Sequence, residues 1–206
     1  MTKDESEARG PAVVVELRSS VAIVRIDRPA ERNSLSIATL EELDSAVSML
    51  TARADVKSII FTGTGDVFAS GADIRELAQL SVDAAEEFAA RGQRLFQKIA
   101  DARQLTVAAV NGYCMGGGLD LALSCDVRCA APAAVFSHPG ARLGIITGWG
   151  GTQRLPRLIG TARALEMFCT ARRVEAREAY EIGLVSKLGE PVLECAVEIA
   201  ARRLTS

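Results

Sequence analysis

The stretch from Thr106 to Leu123 constrains the fold of this chain more than any other. Thr106-Val-Ala-Ala-Val110 is an apolar run of strand length, Asn111-Gly-Tyr-Cys-Met-Gly-Gly-Gly-Leu-Asp120 follows, and Leu119, Leu121, Ala122 and Leu123 open a helical pattern. A strand that enters a helix through glycines lets the backbone press close to a ligand, because no Cβ stands in the way. The new helix turns unpaired N–H groups and a partial positive charge toward that space. The segment reads as a pocket for an oxygen that carries or develops negative charge. A plain tight turn accounts for the glycines as well. No Lys-Ser or Lys-Thr follows, and the spacing is not G-x-G-x-x-G, so the motif does not point to a nucleotide phosphate.

The rest of the chain alternates strand and helix patterns. Val13–Arg18 and Val21–Ile26, separated by Ser19-Ser20, read as a hairpin that ends at Asp27-Arg28-Pro29. Ser36 is an N-cap for a helix over Ile37–Ala52, with Leu40, Leu43, Val47 and Leu50 on one stripe. Lys57–Thr62 is a buried strand that feeds a loop with glycines at 63, 65 and 71. A helix is expected over Val82–Ala100, strands over Asp126–Ala130 and Ala134–Ser137, a loop from His138 to Thr152, and helices over Ala162–Thr170, Glu175–Ile182 and Val192–Leu204. Such alternation predicts an α/β fold, with ligand groups gathered at loops that follow strands. Residues 1–10 are expected to be a flexible N-terminus and 11–206 one domain.

Bulk properties exclude more than they propose. A net charge of −2 gives no electrostatic footing for nucleic acid or an anionic membrane. No apolar run reaches the ~20 residues of a membrane span, and the polar start lacks a signal-peptide core. A cytoplasmic protein is expected. The cysteines at 114, 125, 129, 169 and 195 are odd in number and scattered, so they read as reduced core residues, and the lone His138 leaves no metal site.

Three segments then carry a resemblance. Phe68-Ala-Ser-Gly-Ala-Asp-Ile74, Asn111–Asp120 and Leu143-Gly-Ile-Ile-Thr-Gly-Trp-Gly-Gly-Thr-Gln-Arg-Leu155 together resemble the enoyl-CoA hydratase/isomerase (crotonase) superfamily. Arg28-Pro with Asn33-Ser-Leu35, and Ala179 through Gly183-Leu-Val185, fall in the same order, so the likeness runs from about Val13 to Leu204. It implies a crotonase-like superhelix of repeated ββα units with its C-terminal helical tail shortened, assembled as a homotrimer or a hexamer (a dimer of trimers). It also implies an acyl-CoA thioester as substrate, with no cofactor. By position, the N–H groups of Ala72 and Gly117 would hold the thioester oxygen. Glu31, Arg32, Ser70, Ala72, Asp73, Ile74, Met115, Gly116, Gly117, Pro139 and Gly140 would line the CoA thioester. Losing one such oxyanion donor typically costs about 3–4 kcal/mol of transition-state stabilisation.

The proton chemistry departs from the family pattern. Hydration wants two carboxylates flanking a water. The resemblance puts them at Asp120, one methylene short of the family's glutamate, and at Gly140, where no carboxylate exists. Asp120 resembles the dienoyl isomerase branch, but Gly140 and Gly148 stand where that branch carries further acids. Asp120 can also serve only the helix dipole. His138 lies two residues before Gly140 and titrates in the right range to replace the missing acid, or else it is structural. A catalytically impaired acyl-CoA-binding protein is the alternative. A Ser–His–Asp hydrolase is disfavoured, since no G-x-S-x-G elbow exists.

Overall fold

The computed structural model describes residues 10–202. Apart from Gly10, the start expected to be flexible lies outside these residues, as does the end of the last expected helix beyond Arg202. The hairpin forms as read: β1 (Val13–Arg18) pairs antiparallel with β2 (Val21–Ile26), and Ser19 turns at φ 54°. β3 (Ser34–Leu35) leads to α1 (Ile37–Thr51), where the Ser36 hydroxyl accepts the Thr39 N–H and Leu40, Leu43, Val47 and Leu50 are buried.

Next come β4 (Ser58–Gly63), β5 (Val67–Ala69), β6 (Gly71–Ala72), α2 (Ile74–Leu77) and α3 (Val82–Ala100). β7 (Leu105–Val110), β8 (Tyr113–Met115) and α4 (Gly117–Ser124) hold the glycine motif. The chain continues through β9 (Val127–Ala130), β10 (Val135–Ser137), α5 (Gly151–Ile159), α6 (Thr161–Thr170), β11 (Val174–Glu175), α7 (Ala176–Glu181), β12 (Lys187–Leu188) and α8 (Val192–Arg202).

The larger sheet has the order β1-β2-β4-β7-β9-β12 and is parallel from β2 onward. The smaller sheet has the order β11-β10-β8-β5, with β11 antiparallel. β4 with β5, β7 with β8, and β9 with β10 each place one strand in either sheet before the chain turns helical. This is the expected coil of ββα units, and each turn adds one strand to both sheets.

Two differences from the sequence reading matter for the site. β7 does not run straight into the helix; the chain first crosses into the smaller sheet as β8. The crossing sits at Gly112, where a Cβ would lie 1.8 Å from the Asp66 carbonyl oxygen, so only glycine fits. Three residues are too few to show a period. Likewise, the segment read as one loop from His138 to Thr152 ends in the start of α5, which opens at Gly151 and carries Pro156 inside it. Gly and Pro masked that helix.

The main core lies between the sheets and α1, α3, α4 and α5, with Phe61, Phe68, Phe96 and Phe136 fully buried. A second cluster covers the other face of the larger sheet, where Ile23, Ile60 and Val107 meet Val192, Ala196 and Ala200 of α8. Every residue of α4 is buried, so the glycine turn is fixed from behind by the whole core. Among the described residues, no helix is long and apolar enough to cross a membrane.

Candidate active site

Two asparagines, Asn33 buried and Asn111 half-buried, brace the site from below. Asn33 donates to the carbonyls of Thr64 and Val67 and accepts the Arg28 N–H. Asn111 accepts the Gly63 N–H and donates to the carbonyls of Gly65 and Val67. Together they tie the ends of β3 and β7 to the turn before β5. A buried amide that meets so many backbone groups replaces water the turn cannot reach.

That turn delivers β6 beside the start of α4. Gly71 adopts φ 95°, and a Cβ there would sit 2.9 Å from the Met115 oxygen and 3.0 Å from the Gly117 nitrogen. A Cβ on Gly117 would lie 3.5 Å from the Ala72 nitrogen. The amides of Ala72 and Gly117 are therefore near neighbours. Gly117 is the first residue of α4, so its N–H has no acceptor within the helix. Gly116 makes the approach possible at φ 51°, ψ −119°.

These amides border an apolar cavity of about 260 Å³. Ser70, Gly71, Ala72, Ile74, Gly116 and Gly117 form one part of its wall, and His138, Pro139, Gly140, Thr147 and Gly148 another. Leu77, Leu80, Phe88, Ile145, Ile146 and Trp149 supply the apolar remainder. Trp149 is wedged between Phe88 and Phe96, at ring separations of 5.2 and 5.6 Å, and its indole N–H donates to the Phe88 carbonyl. Its ring also fills the space in front of Gly117, where a Cβ would come within 2.3 Å.

A second cavity of about 330 Å³ adjoins the first through Ser70 and Pro139. Arg32, Arg142 and Arg173 line it, with Tyr113 and Met115 on its floor. The Arg32 guanidinium stacks 5.3 Å over the Tyr113 ring, with Arg32 and Asn33 in the left-handed region.

The sequence-derived residues thus divide. Ser70, Ala72, Ile74, Gly116, Gly117, His138, Pro139 and Gly140 line the main cavity, and Arg32 and Met115 the adjoining one. Glu31, Asp73 and Asp120 line neither. Glu31 ends the short 3-10 turn before Arg32. The Asp73 side chain caps α2 and pairs with Arg75, whose guanidinium holds the carboxyl below its ordinary range.

Asp120 lies behind the wall. Thr147 donates its hydroxyl to Oδ2, and the backbone N–H groups of Trp149 and Gly151 also favour the charged carboxylate. Oδ1 rests against Gly151, where a Cβ would come within 2.1 Å. Burial wins over these donors and over Arg154, and pushes the carboxyl up to about 7. His138 Nε2 faces Oδ1 at 3.4 Å, and neither atom has a hydrogen-bond partner among the described residues. Burial pushes this imidazole down to about 4. Its ring packs on Phe168 at 4.9 Å. Thr147 and Trp149 enter the sequence reading only as parts of a motif; their roles come from contacts across the chain that spacing does not carry.

The chain matches the family model described as enoyl-CoA hydratase/isomerase over residues 16–205. It is 39% identical to the short-chain-enoyl-CoA hydratase of Clostridium acetobutylicum over 191 residues, covering 91% of this chain and 73% of that protein. It is 43% identical to the crotonyl-CoA hydratase of Syntrophomonas wolfei over 180 residues, covering 87% and 69%. The crystal structure of enoyl-CoA hydratase from Bacillus anthracis superposes with a TM-score of 0.91 at 36% identity, covering 95% of this chain and 77% of that one.

Proposed function

The chain belongs to the enoyl-CoA hydratase/isomerase family, and from that premise we propose that it is an enzyme that polarises an acyl-CoA thioester between the N–H groups of Ala72 and Gly117. The observation that carries this reading is the pair of neighbouring amides at the edge of an apolar cavity. Two donors on one carbonyl oxygen make the α-carbon acidic and the β-carbon of an enoyl thioester electrophilic. The enolate that follows is held without reorganisation, because the donors are backbone.

The adjoining arginine-lined cavity suits the rest of the substrate. Its three guanidinium groups match the phosphates of CoA, and Tyr113 offers a flat apolar face. Met115 and Pro139 line this path. The acyl chain enters among Leu77, Leu80, Phe88 and Ile145, where the ring of Trp149 limits the depth available. Water addition to a short enoyl thioester is the reaction that fits best, with the proton chemistry assigned to His138 on the cavity wall and Asp120 behind it. A homotrimer or hexamer in the cytoplasm completes the reading, supported by family membership and by Ile74, Leu143 and Ile146 standing exposed at the cavity rim.

Incubation with crotonyl-CoA, followed by loss of enoyl thioester absorbance and by product mass, tests this. A water adduct is expected. Calorimetric binding without turnover of crotonyl-CoA or of unsaturated positional isomers would overturn the enzyme reading in favour of a binding protein.

A further inference from the structure

Resting on the acyl-CoA reading above, we propose that His138 is the group that exchanges a proton with the substrate's α-carbon, and that Asp120 acts behind it as a positioning residue. The cavity wall carries the inference. His138 and Thr147 line it, whereas Asp120 does not and is fully buried. Its carboxyl has no freedom to swing forward. Oδ2 takes the Thr147 hydroxyl, the Trp149 and Gly151 N–H groups favour the charged carboxylate at the opening of α5, and Oδ1 is packed against Gly151. Oδ1 keeps one open direction, toward His138 Nε2 at 3.4 Å.

The imidazole is held as firmly. Pro139 biases His138 toward extended backbone, observed at φ −110°, ψ 90°, and Phe168 packs on its ring. Nε2 is turned to Asp120, which leaves Nδ1 as the ring nitrogen to serve the cavity that His138 lines. Its charged neighbour is Asp120, which itself senses Arg154 from α5 and Cys114 from β8, and α6 packs the apolar Phe168 on the ring. An imidazolium formed here has one compensating charge, the Asp120 carboxylate.

The step balances with one base. Neutral His138 takes a proton from water as the water oxygen bonds to Cβ. The C=C electron pair moves onto the thioester oxygen, held by Ala72 and Gly117. The enolate then collapses, and the imidazolium returns its proton to Cα. Asp120 supports the intermediate only while ionised, so the rate rises with pH through the range set by its burial. Thr147, by donating to the carboxylate, keeps that range from climbing further.

The experiment follows exchange of the α-protons of butyryl-CoA in D2O by NMR, alongside pH profiles for crotonyl-CoA turnover. General-base loss predicts that His138→Gln slows exchange by about 100-fold or more. Asp120→Asn is expected to cost less, about 10-fold, and to abolish the rising limb near neutral pH. Thr147→Val is expected to move that limb upward, and Thr147→Ser to restore it. The proposal is overturned if His138→Gln exchanges like the wild type, or if Asp120→Asn falls as far as His138→Gln. If His138→Gln does not fold, the Thr147 pair decides: a limb that Val leaves in place overturns the proposal. A wild type that neither binds nor exchanges butyryl-CoA defeats the acyl-CoA reading itself, whereas exchange that survives His138→Gln defeats only this inference.

Discussion

The glycine wall and the histidine wall of the apolar cavity are built from different material. On the first, the working groups are backbone amides, and steric exclusion fixes them: a Cβ on Gly117 meets the Trp149 ring at 2.3 Å, and one on Gly118 meets the Ala69 oxygen at 2.3 Å. On the second, the working groups are side chains from α4, from the residues after β10 and from the loop before α5. There His138, Asp120 and Thr147 hold each other through polar contacts that burial makes sensitive to protonation. The comparison teaches that the proposed polarising groups cannot titrate, whereas the proposed proton-handling groups can.

The sharpest way to break the contrast is Gly117→Ala. The added methyl must displace the turn or the wedged indole, so turnover should fall by about 100-fold, the typical effect of losing one oxyanion donor. Adding Trp149→Ala opens that space, and the double variant should recover folding stability relative to Gly117→Ala, measured by urea unfolding. A double variant no more stable than the single one would show that the indole does not set the turn.

Next in size is Asn111→Ala, which removes the amide that ties the Gly63 N–H and the carbonyls of Gly65 and Val67. The Val67 carbonyl keeps its bond from Asn33, but the part-buried Gly63 N–H loses its acceptor, at about 1–3 kcal/mol, so a loss of about 2 kcal/mol is expected in the same urea assay. The exposed Arg32→Ala should cost far less stability.

The histidine wall predicts a signature in pH. Asp120 has its folded pKa raised to about 7, so its contribution is full below the ordinary carboxylate value of 3.8 and is lost as pH rises toward 7. His138 has its folded pKa lowered to about 4, so its contribution is full above 6.5 and is lost as pH falls toward 4. The two slopes oppose each other, and the wild type should be nearly flat between pH 4.5 and 6.5. Asp120→Asn should grow more stable with rising pH across that window, and His138→Gln less stable. Because a tenfold change in proton affinity corresponds to ~1.4 kcal/mol, the change across the window is on the order of 2–3 kcal/mol in each variant. Identical slopes in both variants would end the idea of opposing burial costs. The smallest effect is on binding: Arg32→Ala should raise KM for crotonyl-CoA by about 3-fold, less at high salt, as a partly exposed phosphate contact does.

Much of the fold was legible because its elements obey simple rules. Ser36 caps the helix it precedes, and Leu40, Leu43, Val47 and Leu50 repeat at helical spacing. β8 and α5 were not legible. The first is too short to show a period, and the second hides behind glycines and Pro156. In the site, the placing of Ala72 and Gly117 side by side on the cavity wall was readable from motif position, since it needs only the right chain path. Asp120 was readable as a position but not as a place: its motif sets it at the opening of a helix, yet only the packing of α4 against α5 puts it behind the cavity wall.

By itself the sequence determined the alternation of strand and helix, the glycine turn and the family, because each rests on local spacing. Tertiary structure alone decided which groups share the cavity. Thr147 meets Asp120 across 27 positions, and Trp149 reaches the carbonyl of Phe88 across 61. Such contacts depend on how the coil of ββα units brings successive turns together, and no local pattern encodes that distance.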